Sequence, residues 1–408
     1  MRLPLVPFLI VLIVNLLIDF YIWRRLRPAK DGGRRQSLWR RIAPKIHIAL
    51  SAVFTVGFVV VISYPKKDAG EVSFEWLMWW LYVYFSIYIP KAVFVLFDLL
   101  ARIPRLFGHR SFRWLSAAGA VVGVIIFGLM WWGAFVNRYN IDVNDVELTV
   151  DGLPKSFDGY RIAQISDLHV GTYGDDDGFV RELVSRVNAL HPDLIVFTGD
   201  IVNRYSDELR PFVKALSGLE APDGVLSILG NHDYGDYYKW SSDAAKAANL
   251  QSLKDMQADM GWRMLNNDHV VLRRGVAADS IVVIGVENVG DPPFHTYGDL
   301  DAAYPALADP AVKILLSHNP AHWVDDIAGA PDKNIALTLS GHTHAMQISL
   351  FGLSPAAWRY PTWGGMYDDG EGRSLYVNIG AGEVAIPARI GATPEITLIE
   401  LKSKNDLR

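Results

Sequence analysis

The chain has 408 residues, a formal net charge of −5 and no cysteine. That length allows two or three domains, and the charge gives no general signal for nucleic-acid binding. The lack of cysteine excludes disulfides, thiolate metal sites and a cysteine nucleophile, and it fits an oxidising compartment.

The first 138 residues are dominated by long apolar runs. Four of these, about 3–23, 46–64, 74–100 and 114–136, reach the ~20 residues that a membrane-spanning helix needs. The third carries Pro90 and Lys91, so a kink, a tilt or an early end is expected there. Trp and Tyr gather near the run ends (Tyr21, Trp23, Tyr64, Trp76, Trp114, Trp131 among them), as interfacial anchors do. The runs are too long and too uniformly apolar for buried helices of a soluble protein. A cleavable signal peptide is not expected, because the basic residues follow the first run and no small-residue cleavage site is evident.

Orientation follows from lysine and arginine in the short loops. The first loop holds Arg24, Arg25, Arg27, Lys30, Arg34, Arg35, Arg40, Arg41 and Lys45, and the third holds Arg102, Arg105, Arg110 and Arg113. In the second, Lys66 and Lys67 are balanced by Asp68 and Glu71. The first and third loops are therefore expected in the cytoplasm, which places residues 139–408 outside it. Arg40-Arg41 has the form of a twin-arginine export signal, but positive-inside charge accounts for it.

Residues 139–408 read as an α/β domain. Ile141 to Val150 alternates apolar and polar residues as an edge strand does. Short apolar runs at Tyr160 to Ser166, Leu194 to Thr198, Val225 to Leu229, Ile281 to Gly285, Lys313 to Ser317 and Ile335 to Ser340 read as strands. Helical spacing covers Phe179 to Leu190, Glu208 to Leu216 and Ser242 to Met260. Two further strands are expected at Arg373 to Ile379 and Glu395 to Leu401. Alternating strands and helices predict a layered α/β fold.

The chemistry lies just after the strands, where α/β folds place reactive loops. In order, the groups are Asp167 and His169, Asp200, Asn231-His232-Asp233, His318, then His342 and His344. Carboxylates, imidazoles and one amide in this order suit a two-metal hydrolytic centre. Any one of these motifs is ordinary turn chemistry, since Asp, Asn, Gly and His favour turns. Two histidines two residues apart in a turn, and five ligand-bearing turns in series, are harder to assign to packing.

This series resembles the calcineurin-like metallophosphoesterases, whose pattern runs D-x-H, G-D, G-N-H-[DE], H, G-H-x-H. The resemblance covers Ile162 to about Glu400 and is nearest to membrane-associated bacterial members with G-H-T-H-G-G-Q. Here that run is Gly341-His342-Thr343-His344-Ala345-Met346-Gln347, so Ala345 and Met346 depart from it. The resemblance implies a four-layer αββα sandwich after the four-helix transmembrane region. It implies one metal on Asp167, His169, Asp200 and His344, and a second on Asp200, Asn231, His318 and His342. A water bridging two divalent cations would lose its proton near neutral pH and attack phosphorus in line. His232 would protonate the leaving oxygen, with Asp233 orienting its ring. The donor set favours manganese, iron or zinc over magnesium.

The expected activity is hydrolysis of a phosphomonoester, phosphodiester or pyrophosphate bond. A domain tethered to the bilayer meets lipid-linked or envelope phosphate esters at high local concentration. Related members that cleave sugar-nucleotide lipid precursors act at the cytoplasmic face, against the orientation above. The rival reading is a membrane transport or signalling protein that uses the domain only for binding, but the spans hold few polar groups. Three further features are noted for the site. The aromatic segment Phe351 to Arg373 reads as a loop clustered on itself or as a lip over an amphiphilic substrate. Arg389 reads as a phosphate contact or, equally, as a surface arginine. His322, and His295 in the loop Asp291 to Gly298, are candidates for the pocket wall, while His47, His109, His191 and His269 read as bland.

Overall fold

The computed structural model describes residues 5–27, 38–65, 70–275, 279–292 and 295–404. Of the loop charges counted above, Lys30, Arg34, Arg35, Lys66, Lys67 and Asp68 lie outside these residues. The chain divides into two compact units, Met1–Trp132 and Gly133–Arg408.

The first unit holds helices α1 (Leu5–Leu26), α2 (Leu38–Ser63), α3 (Glu71–Leu100) and most of α4 (Arg113–Phe135). All four are long and apolar enough to cross a bilayer. Their surface is inverted relative to a soluble bundle. Leu17, Val53, Val56 and Val124 are exposed, while Asn15, Asp19, Ser51 and Asp98 are buried. That arrangement suits a lipid solvent, where polar side chains turn inward and pair with one another. Asp19 of α1 accepts from Tyr88 at 2.5 Å and from Lys91 at 2.9 Å, both on α3. Asp98 of α3 accepts from Tyr21 at 2.6 Å, Ser116 at 2.7 Å and Arg102 at 2.9 Å, and Arg25 lies 3.0 Å away. His47 of α2 meets the Asp19 carbonyl at 3.0 Å.

Two expectations change. Helix α3 runs unbroken through Pro90 to Leu100, with Lys91 held by Asp19 instead of ending the span. Helix α2 begins at Leu38, so Arg40, Arg41 and Lys45 lie on it and not in a loop. An apolar window marks the membrane-embedded part of a helix and misses a basic extension, although Arg and Lys are good helix formers.

The second unit contains strands β1 (Asp142–Val150), β2 (Tyr160–Ile165), β3 (Leu194–Phe197), β4 (Val225–Ser227), β5 (Arg263–Met264) and β6 (Asp268–Arg274). They are followed by β7 (Asp279–Gly285), β8 (Lys313–Leu316), β9 (Ile335–Ser340), β10 (Gly365–Asp368), β11 (Ser374–Val377) and β12 (Glu395–Ser403). The α-helices are α5 (Gly178–Ala189), α6 (Val213–Leu216), α7 (Asp243–Asp259) and α8 (Leu300–Ala303). One six-stranded sheet has the order β1-β12-β2-β3-β4-β5 and the other β10-β11-β9-β8-β7-β6. Strands β2 to β5 are mutually parallel, as are β7, β8, β9 and β11. Strand β1 is an edge, as its alternation predicts.

The period of two in each strand builds the layers. In β3, Leu194 and Val196 face the core between the sheets, while Ile195 and Phe197 face the core under α5 and α7. In β7, Ile281 and Val283 join the same central core, while Val282 and Ile284 pack with α8 and Trp323. The result is a four-layer αββα sandwich. At the C-terminal end of β2 the central core turns polar. Gln164 there donates to Thr198 Oγ1 at 3.1 Å and, across the sheets, to the Ser340 carbonyl at 2.8 Å.

One helix differs from expectation. Glu208 to Leu216 splits into a 3-10 stretch, Ser206–Phe212, and the single turn of α6. Pro211 lies at the join and has no N–H to continue an α-helical ladder. The boundary between the two compact units lies inside α4, whose last turn is bonded into the second unit. Gly133 O accepts from Arg389 N at 3.2 Å, and Asn137 Nδ2 donates to Arg389 O at 3.0 Å.

Candidate metal centre

The loops after β2, β3, β4, β8 and β9 converge at one edge of the sandwich, and their polar side chains meet there. Three acid–imidazole groups have ligand atoms within 4.8 Å of one another. They are Asp167 with His169 and His344, His169 with Asp200 and His232, and Asp200 with His318 and His342. His344 Nε2 lies 3.1 Å from Asp167 Oδ1 and 3.0 Å from His169 Nε2. Asp200 Oδ2 lies 3.2 Å from His318 Nε2 and 3.6 Å from His169 Nε2. All these groups are buried except His232 and His342, which are partly open. Asn231 lies in the loop after β4, next to His232, whose amide donates to Asp200 Oδ1 at 2.8 Å.

The backbone is bent to bring them together. Asp167, His169, Asp200, His342 and His344 all have positive φ, between 45° and 75°. Non-glycine residues rarely adopt this region, and such outliers gather at functional sites. Two glycines are required by close approach. Gly199 has φ +97°, and a Cβ there would stand 2.8 Å from His318 Nδ1. A Cβ on Gly230 would stand 2.6 Å from the Asp200 amide nitrogen.

The donor atoms fit divalent cations. Asn231 Oδ1 is buried without a hydrogen-bond partner, while its Nδ2 donates to Tyr237 at 2.9 Å. An oriented amide with an orphaned oxygen is what a metal ligand offers and what a purely structural asparagine avoids. His318 Nδ1 meets the Thr198 carbonyl at 2.7 Å, which leaves Nε2 for the centre. His342 Nε2 meets the Tyr360 hydroxyl at 2.9 Å and leaves Nδ1 inward, 3.3 Å from His318 Nε2.

Electrostatics agree with this arrangement. Burial, followed by the charges of neighbouring histidines, pushes His342 down to about 3 and His169 well below its ordinary value, so both imidazoles are neutral. Burial opposes ionisation of Asp200, yet His318 and His232 hold it well below the carboxylate range. His318 is raised to about 10, because Asp200 and Asp167 outweigh its burial.

His232 is oriented differently from expectation. Its Nδ1 meets the Asn203 carbonyl at 2.6 Å, and its ring stacks on Tyr237 with centroids 4.1 Å apart. Asp233, expected to orient that ring, turns away from it. Its carboxylate accepts from the amides of Gly230 at 2.8 Å, Asp200 and Ile201 at 2.9 Å and Val202 at 3.4 Å. Adjacent residues in a tight turn point in opposite directions, so Asp233 clamps the Asp200 loop from behind.

Other expectations resolve in the same way. Arg389 is fully buried and does not face a substrate. Its guanidinium donates to the carbonyls of Gly382, Ile379 and Ala392, and Nη2 lies 3.2 Å from His344 Nδ1. Gln347 holds the next loop through Ile386 O at 2.6 Å, Ala388 O at 2.9 Å and Val384 N at 2.6 Å. His322 turns to Ser317, at 2.8 Å, and away from the metal ligands. His295 is exposed, in a loop whose residues 293–294 fall outside those described. Sequence reasoning missed Tyr237, Tyr360 and Asn203 as site residues. Tyr360 belongs to the aromatic segment already singled out, but spacing does not say which of its rings turns inward.

A family model described as "Calcineurin-like phosphoesterase" matches residues 160–346, and one described as "Probable Calcineurin-like phosphoesterase, transmembrane domain" matches residues 1–138. A "Transmembrane protein with metallophosphoesterase domain" of Danio rerio is 29% identical over 95% of this chain and 87% of its own. An "Uncharacterized metallophosphoesterase YkuE" of Bacillus subtilis is 30% identical over 71% of this chain and 94% of its own. A "UDP-2,3-diacylglucosamine pyrophosphatase LpxG" of Chlamydia trachomatis is 31% identical over 48% of this chain and 68% of its own.

Proposed function

The chain belongs to the calcineurin-like phosphoesterases, as a membrane protein with four spans ahead of the hydrolase domain, and on that premise we propose how its residues divide the reaction and what it acts on. The observation that carries the proposal is the shared carboxylate. Asp200 belongs to two ligand groups at once. Asp167, His169, Asp200 and His344 would hold one divalent cation, and Asp200, Asn231, His318 and His342 would hold the other. Bound there, the cations acidify coordinated water and offset charge on the phosphoryl oxygens.

The remaining residues position atoms and move a proton. His232 has Nδ1 committed to the Asn203 carbonyl, so Nε2 is the atom through which it serves the leaving oxygen. Burial lowers its pKa, which favours release of a proton once it is loaded. The His232 amide donates to Asp200 Oδ1 at 2.8 Å and fixes the shared carboxylate. Tyr360 and Tyr237 hold His342 and Asn231 in register.

The substrate is a phosphate ester or pyrophosphate presented at the membrane, of lipid-linked or envelope type. The tether supports this reading, and so does the likeness to a pyrophosphatase of a diacylated sugar nucleotide. Binding alone, without turnover, is the weaker reading, because the ligand set is complete and Asp19 and Asp98 in the spans are ion-paired.

The test uses the full chain in detergent, loaded in turn with manganese, iron or zinc. It should hydrolyse chromogenic phosphomonoesters or diesters, lose that activity to a chelator, and lose roughly 100-fold or more with His232→Ala. Failure on monoester, diester and pyrophosphate substrates with all three metals would refute the hydrolase role. An undiminished His232→Ala variant would remove His232 from the mechanism.

A further inference from the structure

The rim of the metal centre carries an apolar tip that phosphoester chemistry does not use. Leu350 to Leu353 closes a tight hairpin, with Leu353 N donating to Leu350 O at 3.0 Å and Leu350 N to Leu353 O at 2.9 Å. Its two central residues, Phe351 and Gly352, have φ of +54° and +75°, as such turns demand. Glycine suits this conformation and phenylalanine does not. Even so, Phe351 is placed at the point of the turn and is 102% exposed. Leu353 and Trp358 beside it are 76% and 91% exposed, and Met346, Leu350 and Ile386 extend the apolar surface. A cluster of this kind on a soluble face marks a contact with something apolar.

Its connections on both sides indicate what that is. Towards the metals, Ser354 Oγ donates to Ala345 O and Thr343 Oγ1 to Trp363 O, both at 2.6 Å, and Tyr360 meets His342. The tip is thus built onto the turn that carries His342 and His344. On the other side, Ser349 N donates to Ile390 O at 2.9 Å and Ile390 N to Gln347 O at 2.8 Å. The neighbouring Arg389 is bonded to Gly133 and Asn137, where the last membrane-spanning helix ends. A short hydrogen-bonded path therefore runs from the end of α4 through residues 386–391 to the tip, and on to the ligand turn. Phe351, Leu353 and Trp358 also include the residue types that favour the membrane interface.

We propose that the Phe351–Trp358 tip inserts into the interfacial zone of the bilayer beside the end of α4, so that the metal centre takes a phosphate ester whose apolar part stays in the membrane. This rests on the phosphoesterase reading above. The bilayer is preferred to a protein partner because the tip is continuous with a segment that already emerges from it. The substrate's phosphate need then travel only from the headgroup level to His342 and His344, while its acyl part stays among the lipids.

The chain has no cysteine, so Phe351→Cys and Leu353→Cys each create a unique attachment point for a spin label on an exposed, unpacked position. The labelled full-length protein is reconstituted into phosphatidylcholine vesicles containing anionic lipid. Accessibility to oxygen and to a water-soluble nickel chelate is compared with a label at Asp255 on α7. The expected result is a label roughly 5–10 Å below the phosphate level, reached by oxygen and shielded from nickel. A label as open to nickel as the Asp255 control overturns the proposal. So does dipolar broadening between labels, which would mean that a second copy covers the tip. A label shielded from both relaxers overturns it too, since that means protein packing. A wet tip on an active hydrolase would refute this inference alone, and a membrane-buried tip on an inactive protein would refute the hydrolase reading alone.

Discussion

At the scale of the residue, the centre is held by hydrogen bonds from behind the candidate ligands. Five of the candidate ligands sit in the left-handed backbone region, which costs roughly 1–3 kcal/mol for each such residue. The offset comes from hydrogen bonds behind them. Asp167 N donates to Gly199 O at 2.9 Å, His342 N to Asp167 Oδ2 at 3.0 Å, and Asp233 gathers its amides around the Asp200 turn. Burial and the Asp200 charge push Asp233 up to about 7, while the Gly230 and Val202 amides pull it down. Asp233→Asn replaces one acceptor oxygen with a donor that faces backbone N–H groups. The expected loss is on the order of 2–4 kcal/mol of domain stability, with weaker cation retention. Melting of wild type and variant at pH 8, with bound metal counted by elemental analysis, checks it. A variant as stable as wild type but slow in turnover would instead restore the role of orienting His232.

At the scale of the element, the site was legible because parallel strands end where their reactive groups begin. Asp167, Asp200, Asn231, His318 and His342 each follow an apolar run, and those runs are β2, β3, β4, β8 and β9. What stayed hidden was non-local. Strand β12 enters between β1 and β2, a pairing across more than half the chain that no local pattern encodes. Strands β5 and β10 are too short to show a period, and β6 was not expected at all. Asp233 and Arg389 were misread because residue type says that a group can bind a phosphate or a ring, but not which way its side chain turns. In the membrane helices the same limit applied to Asp19 and Lys91, whose pairing needs α1 and α3 side by side. Asp19→Leu leaves the partly exposed Lys91 ammonium without its carboxylate and should cost about 1–2 kcal/mol of bundle stability, whereas Asp19→Leu with Lys91→Met should recover most of it. Unfolding in mixed micelles with rising SDS measures both. Equal losses for the single and double variants would show that the pair does not hold the helices.

At the scale of the whole molecule, the hydrolase unit begins inside a membrane helix, and buried charge marks that junction. Arg138, just past α4, pairs with Glu383, and both are buried. Burial pushes Glu383 up to about 7 against the pull of Arg138 and Arg389. A carboxyl whose folded pKa lies above the ~4.3 of an unfolded glutamate contributes fully in acid, and that contribution is lost as pH rises towards 7. The stability of wild type relative to Glu383→Gln should therefore fall by on the order of 3 kcal/mol between pH 4.5 and 8. Thermal or denaturant melting of the two proteins across that window tests this, and a constant difference would place the Glu383 pKa near its unfolded value.

Charge gives an expectation for the side of the membrane on which this junction lies. Arg24, Arg25, Arg27, Arg40, Arg41 and Lys45 flank the α1–α2 connection, and Arg102, Arg105, Arg110 and Arg113 flank α3 and α4. The positive-inside rule predicts that both connections are cytoplasmic, in which case α4 would carry the hydrolase unit outward. Alkaline phosphatase fused after Arg408 should be active, and a green fluorescent protein at the same place dark. The reverse pattern would move the metal centre to the cytoplasmic face. The lipid phosphate it meets would then come from the inner leaflet, while the tip and the ligand set would serve it unchanged.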